Sequence, residues 1–145
     1  WHDIRTDEYA TKKALEDAQK RKELYEKFEG VARKYLPLQK QNGREYVALI
    51  ATSPSDLIDE GTALHHCVGR MGYDQKFARE ETLIFFIRMK SAASTPFVTV
   101  EYSLSQHIIL QCYADHNSKP DENALHFINK IWLPYANKQL RLLTA

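Results

Sequence analysis

Three apolar runs rich in β-branched and aromatic residues follow one another closely between Leu83 and Tyr113, and this constrains the fold more than any other feature of the chain. The runs are Leu83 to Met89, Phe97 to Tyr102 and His107 to Tyr113, each of strand length, joined by short connectors rich in Ser, Ala, Thr and Pro. Parallel pairing needs a crossover of about a dozen residues or more, which these connectors cannot supply, so an antiparallel meander is expected. A further short strand, Tyr46 to Ala51, precedes them behind a turn at Gln39 to Gly43.

Helical periodicity flanks this block. Ala14, Ala18, Tyr25, Phe28, Ala32 and Tyr35 recur at three- to four-residue steps and predict a long helix over roughly Asp7 to Tyr35, closed by Leu36-Pro37. Arg21 and Lys22 interrupt its apolar side, so its first turns are expected to project. Ser53-Pro54 with Asp56 signals a second, short helix stopping near Gly61, and Tyr73 to Arg79 a third. Ala124, Leu125, Ile128, Ile131, Trp132 and Tyr135 predict a last helix, with Pro134 kinking it or ending its regular part. The expected fold class is therefore α+β: an antiparallel sheet of three to four strands packed by a long N-terminal helix and a C-terminal helix. One domain over residues 1–145 is expected, with that helix at 1–36 and the core at 45–145.

Composition removes several function classes. The chain is 43% hydrophobic and 27% charged, ordinary for a globular domain. No apolar run approaches the roughly eighteen residues of a membrane helix. A net charge of +1 gives no global drive toward nucleic acid or anionic membrane. Between Lys12 and Lys34, however, eight basic residues face five acidic ones. Two cysteines, Cys67 and Cys112, are too few for a disulfide framework and fit reduced thiols in a cytoplasm. The chain starts at Trp1 without an initiator Met and is read as a fragment of a longer protein.

Strand parity divides the sheet. One face collects Leu83, Phe85, Ile87 and Met89 with Val98, Val100, Tyr102, Ile108, Leu110 and Cys112, and is expected to carry the last helix through Ile128, Ile131 and Trp132. The other mixes Ile84, Phe86 and Arg88 with Phe97, Thr99, Glu101, Ile109, Gln111 and Tyr113, a blend that suits a half-covered site. Arg88, Glu101 and Gln111 are expected to form one hydrogen-bonded cluster there, either as a cross-strand pair stabilising the sheet or as a site.

Leu64-His65-His66-Cys67-Val68-Gly69 is the densest run of reactive side chains. A Cys–His nucleophile would pair Cys67 with His65, one helical turn being better geometry than adjacency. A Cys2His2 metal set would join His66 and Cys67 to Cys112 and His116. The plainer reading buries Cys67 and Val68 in the core and turns one histidine into the polar face. No metal or cofactor is assigned.

His66-Cys67-Val68-Gly69, Tyr73, Ile84 to Arg88, Pro96, Val98-Thr99-Val100-Glu101, Gln111 and Asn117 occur in this order over Leu64 to Trp132. The ordered set resembles the PcfJ-like proteins of conjugative plasmids, integrative elements and phages. Arg70-Met71-Gly72 lengthens the pattern, and Ala114-Asp115-His116 replaces an expected Gly-containing turn. The resemblance implies an accessory module of a mobile element, in DNA transfer or phage biology, and the first reading is that it binds protein or nucleic-acid partners. It brings no catalytic residues with it. The alternative is an enzyme acting on a nucleotide or nucleic acid, with His66, Arg88, Glu101 and Gln111 as candidate catalytic groups and Tyr73, Thr99 and Asn117 as candidate binding groups. Convergence of these side chains on one pocket would favour the second reading.

Overall fold

The computed structural model describes residues 2–69 and 72–145, with side-chain environments from residue 7 onward. Helix α1 spans His2–Lys34. Its residues 7–23 are exposed throughout, and packing begins only where Phe28, Val31, Ala32 and Tyr35 align on one side. Phe28 stacks face to face on Phe77 of α3 (Tyr73–Ala78), with ring centroids 3.8 Å apart. Glu80 ties down the end of α1 by accepting from Lys34 Nζ and Tyr35 Oη, each at 2.8 Å. Leu36-Pro37 ends the helix in a single tight turn, as the proline requires.

The four strands are β1 (Tyr46–Ile50), β2 (Thr82–Met89), β3 (Val98–Ser103) and β4 (Ile109–Tyr113), with α2 (Pro54–Leu64) between the first two. They pair in sequence order, β1-β2-β3-β4, and every pair is antiparallel. The fold is thus the expected α+β meander. No helix among the described residues is long and apolar enough to cross a membrane.

The apolar face follows parity through β2 and β3: Leu83, Phe85, Ile87, Val98, Val100 and Tyr102 are all buried, while Met89, expected with them, is exposed at the end of β2. Parity fails at β4. Tyr102 pairs with Ile109 whereas Glu101 pairs with Gln111, so Leu110 is an extra residue in a bulge. Ile109 therefore packs on the core with Cys112, while Ile108 and Leu110, expected inside, are 45% and 44% exposed.

The last helix docks on this face through Trp132, whose ring lies 4.6 Å from Phe85 and whose indole N–H donates to the Leu38 carbonyl at 2.9 Å. Between α4 (Glu122–His126) and α5 (Leu133–Thr144) the chain forms a wide π-helical turn, Phe127–Trp132. The buried series becomes Ala124, Ile128, Trp132, Ala136 and Leu140, a strict four-residue step. Ile131, expected to pack, is left 42% exposed, and Phe127 is buried in addition to the expected pair. The wide turn also explains why Pro134 does not end the helix. A proline ring clashes with the carbonyl four residues earlier, and the π turn displaces that carbonyl.

Candidate functional site

The opposite face of the sheet is organised by α2 and the loop that follows it. Glu60 lies on the buried side of α2 with Leu57, Gly61 and Leu64. It accepts from both terminal nitrogens of Arg88, at 2.7 Å to Oε2 and 2.5 Å to Oε1. This fork-to-fork pair is nearly closed to solvent, with side chains 9% and 3% exposed. The guanidinium also lies over the Phe86 ring, 5.0 Å from its centroid. The expected Arg88–Glu101 pair is therefore absent. Register gives the reason: Glu101 stands across from Ile84, four residues along β2 from Arg88, a separation of about 13 Å at strand rise.

Helix α2 ends at His65, which turns the chain in the left-handed region (φ 54°). The loop then presses back on α2, and glycine permits the approach. A Cβ at Gly69 would stand 2.8 Å from Ile58 Cα and 3.0 Å from the Leu57 carbonyl oxygen. Val68 is buried by this fold-back, but Cys67 is exposed, against the plainer reading of it as a core residue. Alternation across a tight loop turns neighbours in opposite directions, and Val68 takes the inner place. Arg70 and Met71 of the lengthened stretch lie outside the described residues.

His66 points inward. Its Nδ1 accepts from the Val68 N–H at 3.4 Å, so Nε2 is the protonated nitrogen and donates to Thr99 Oγ1 at 2.8 Å. Thr99 in turn donates to Glu60 Oε2 at 3.5 Å. Burial lowers the pKa of His66, which favours the neutral ring. The chain of contacts from Val68 through His66 and Thr99 to Glu60 and Arg88 forms one polar frame beneath the loop.

Beside that frame lies a small, half-open cleft lined by six of the seven candidate residues: His66, Tyr73, Thr99, Glu101, Gln111 and Asn117. Arg88 is the one outside it. Cys67 and Tyr113 join the lining. Tyr73 Oη donates to Gln111 Oε1 at 3.3 Å, fixing one wall. Glu101 is 4% exposed, and its Oε2 has no hydrogen-bond partner among the described residues. None of the described lining groups is a Lys or Arg. Such a cleft presents an unpartnered carboxylate oxygen beside amide and phenol groups that can donate or accept, and its described lining offers no cation to neutralise a phosphate.

At the rim, the metal set considered from spacing is not assembled. Cys112 packs against the core, its thiol pushed up to about 11 by burial, and both nitrogens of His66 are engaged. The structure instead groups His65, Asp115 and His116, with both Nδ1 atoms 3.0 Å from Asp115 Oδ1. Hydrogen bonding from His65, and then from His116, holds the Asp115 carboxyl below its ordinary range. Neither Glu60 nor this trio was singled out in the sequence. For Glu60 a signal existed, a carboxylate on the apolar stripe of a short helix; for the trio nothing joined its parts, since His65 lies 50 residues before the adjacent Asp115 and His116.

Comparison with known proteins agrees with the ordered motif. The family model described as PcfJ-like protein matches residues 1–128, a longer stretch than the motif alone and one that includes α1. An uncharacterized protein of Listeria innocua serovar 6a is 31% identical over 98 residues, which cover 68% of this chain. The matched stretch spans only 21% of that relative's length. No solved structure gives a significant match. The chain belongs to the PcfJ-like protein family.

Proposed function

We propose that this chain is the ligand-binding module of a cytoplasmic mobile-element protein, and that its cleft takes a group rich in N–H donors, of the nucleobase or nucleoside class. One observation carries the reading: the buried carboxylate oxygen of Glu101 without a partner among the described residues. A buried polar atom left unsatisfied costs about 1–3 kcal/mol, more if charged, and such a cost is commonly retained where a ligand completes the bond. Tyr73 and Tyr113 supply aromatic walls, Gln111 and Asn117 supply amides, and Glu101 accepts from the ligand's N–H edge. If the bound group reacts, Glu101 is the side chain suited to carry a proton, and His66 acts by positioning Thr99.

The test is titration of the purified chain with nucleosides, nucleotides and short single strands, followed by NMR. Binding that shifts Tyr73, Gln111 and Asn117 and disappears in Glu101→Gln, with the melting temperature kept, supports the cleft. Glu101→Gln binding the same ligand equally well would overturn it.

A second reading has its own observation, the exposure of every residue from 7 to 23 of α1. Lys12, Lys13, Lys20, Arg21 and Lys22 there, with Arg33, suit docking to a protein or nucleic-acid partner of the element. Lys34 is already engaged by Glu80. Nucleic-acid binding through this surface weakens steeply with salt, and binding unchanged from low to high salt would exclude it.

A further inference from the structure

We infer that His65, Asp115 and His116 form a binding site for a divalent first-row transition metal at the rim of the cleft. Three side chains from two loops turn their ligand atoms to one point, all within 4.8 Å of one another. The two imidazoles stack at 4.3 Å with their planes 16° apart, and both aim Nδ1 at the same carboxylate oxygen.

The backbone reinforces the arrangement. His65 (φ 54°) and His116 (φ 55°) both occupy the left-handed region, which is unfavourable for residues with a Cβ. Each turn is what swings its ring toward Asp115. Neither histidine ring makes another side-chain hydrogen bond among the described residues, so Asp115 and the facing ring are what hold each imidazole.

Two imidazoles and one carboxylate suit Zn²⁺, Co²⁺, Ni²⁺ or Fe²⁺ in preference to Mg²⁺ or Ca²⁺, which favour all-oxygen shells. Three protein ligands on an exposed rim leave a coordination position for water or for a ligand atom. Chain connectivity joins that position to the cleft twice, since His65 precedes His66 and His116 precedes Asn117, both of which line it. The metal inference stands on the trio's own geometry and holds whether or not the cleft binds a nucleobase.

The experiment uses the untagged chain, titrated with Zn²⁺ by calorimetry and with Co²⁺ by visible absorption. One equivalent of saturable binding is expected, with the Co²⁺ spectrum showing nitrogen and carboxylate ligation. His65→Asn and His116→Asn keep a residue that tolerates the left-handed backbone, and each should weaken binding more than about tenfold. Should either variant fold poorly, imidazole NMR of the unaltered chain decides the matter. Zn²⁺ should shift His65 and His116 and leave His107 and His126 in place. Absence of saturable binding by both ions would overturn the site, as would unchanged affinity in both variants or shifts confined to other histidines.

Discussion

Glu60 grips Arg88 through both terminal guanidinium nitrogens, while Glu101, held across from Ile84 by the strand register, is left with a carboxylate oxygen that has no partner among the described residues. Two carboxylates share this face of the domain, and one arginine serves only the first. The frame and the cleft are thus separate: one is closed by its own charges, the other is left with an acceptor.

Breaking the frame should be costly. Glu60→Gln leaves a buried guanidinium without its counter-charge, and a loss of about 3–5 kcal/mol is expected in urea melts. Replacing both partners with apolar residues of similar size, Glu60→Leu with Arg88→Met, should cost far less than the single change. A double variant as unstable as the single one would show that the hydrogen bond Glu60 accepts from Thr99 matters more than the pair's charges.

The docking of the last helix can be read from two isoleucines three residues apart. Ile128 is fully buried, and Ile128→Ala should lower stability by about 2–5 kcal/mol. Ile131 is turned outward by the π turn, and Ile131→Ala should stay within about 0.5 kcal/mol. Equal losses in denaturant melts would mean the helix keeps an ordinary phase through Phe127–Trp132.

These contrasts mark where sequence reading succeeds and where it stops. Connector length between Leu83 and Tyr113 decided the meander, because geometry forbids the alternative, and parity held along β2 and β3, where Thr82 to Ile87 pair in step with Ser103 to Val98. It broke at Leu110, since a bulge adds one residue without any glycine or proline to announce it. The phase of the last helix was lost for the same reason: a π turn is a register change that apolar spacing does not reveal. Six cleft residues were legible because the motif is carried by strands and their adjoining loops. The true partner of Arg88 was not, because Glu60 reaches it across tertiary space from a helix.

Acid should loosen the anchor of α1. The Glu80 carboxyl is held below its ordinary value of 4.5, first by the hydrogen bond from Lys34 and then by that from Tyr35. A depressed folded-state pKa contributes stability that is present above the unfolded value and lost as pH falls through the folded one. Glu80 is 38% exposed, so solvent screening keeps the contribution under about 1 kcal/mol. Melts of the unaltered chain and of Glu80→Gln should differ at neutral pH and converge below the carboxylate range. A difference that persists in acid would assign the effect to packing of the side chain.

The two thiols should react at very different rates. Cys67 is exposed on the cleft lining, while Cys112 is half-buried against the core with its thiol raised from 9.0 to about 11. The thiolate is the reactive form, and a thiol raised to about 11 holds roughly a hundredfold less of it at pH 8 than one at 9.0. Iodoacetamide should therefore modify Cys67 first, with Cys112 reacting only once urea opens the domain, as peptide mass spectrometry would follow. The same reagent probes the cleft, because a group attached at Cys67 stands among Tyr73, Glu101 and Asn117. A ligand bound there should slow alkylation of Cys67 in the folded chain and leave the unfolded rate unchanged. Similar rates for both thiols in the folded chain would show that Cys112 is not held against the core, and with it would go the bulge that places Cys112 on that side of β4.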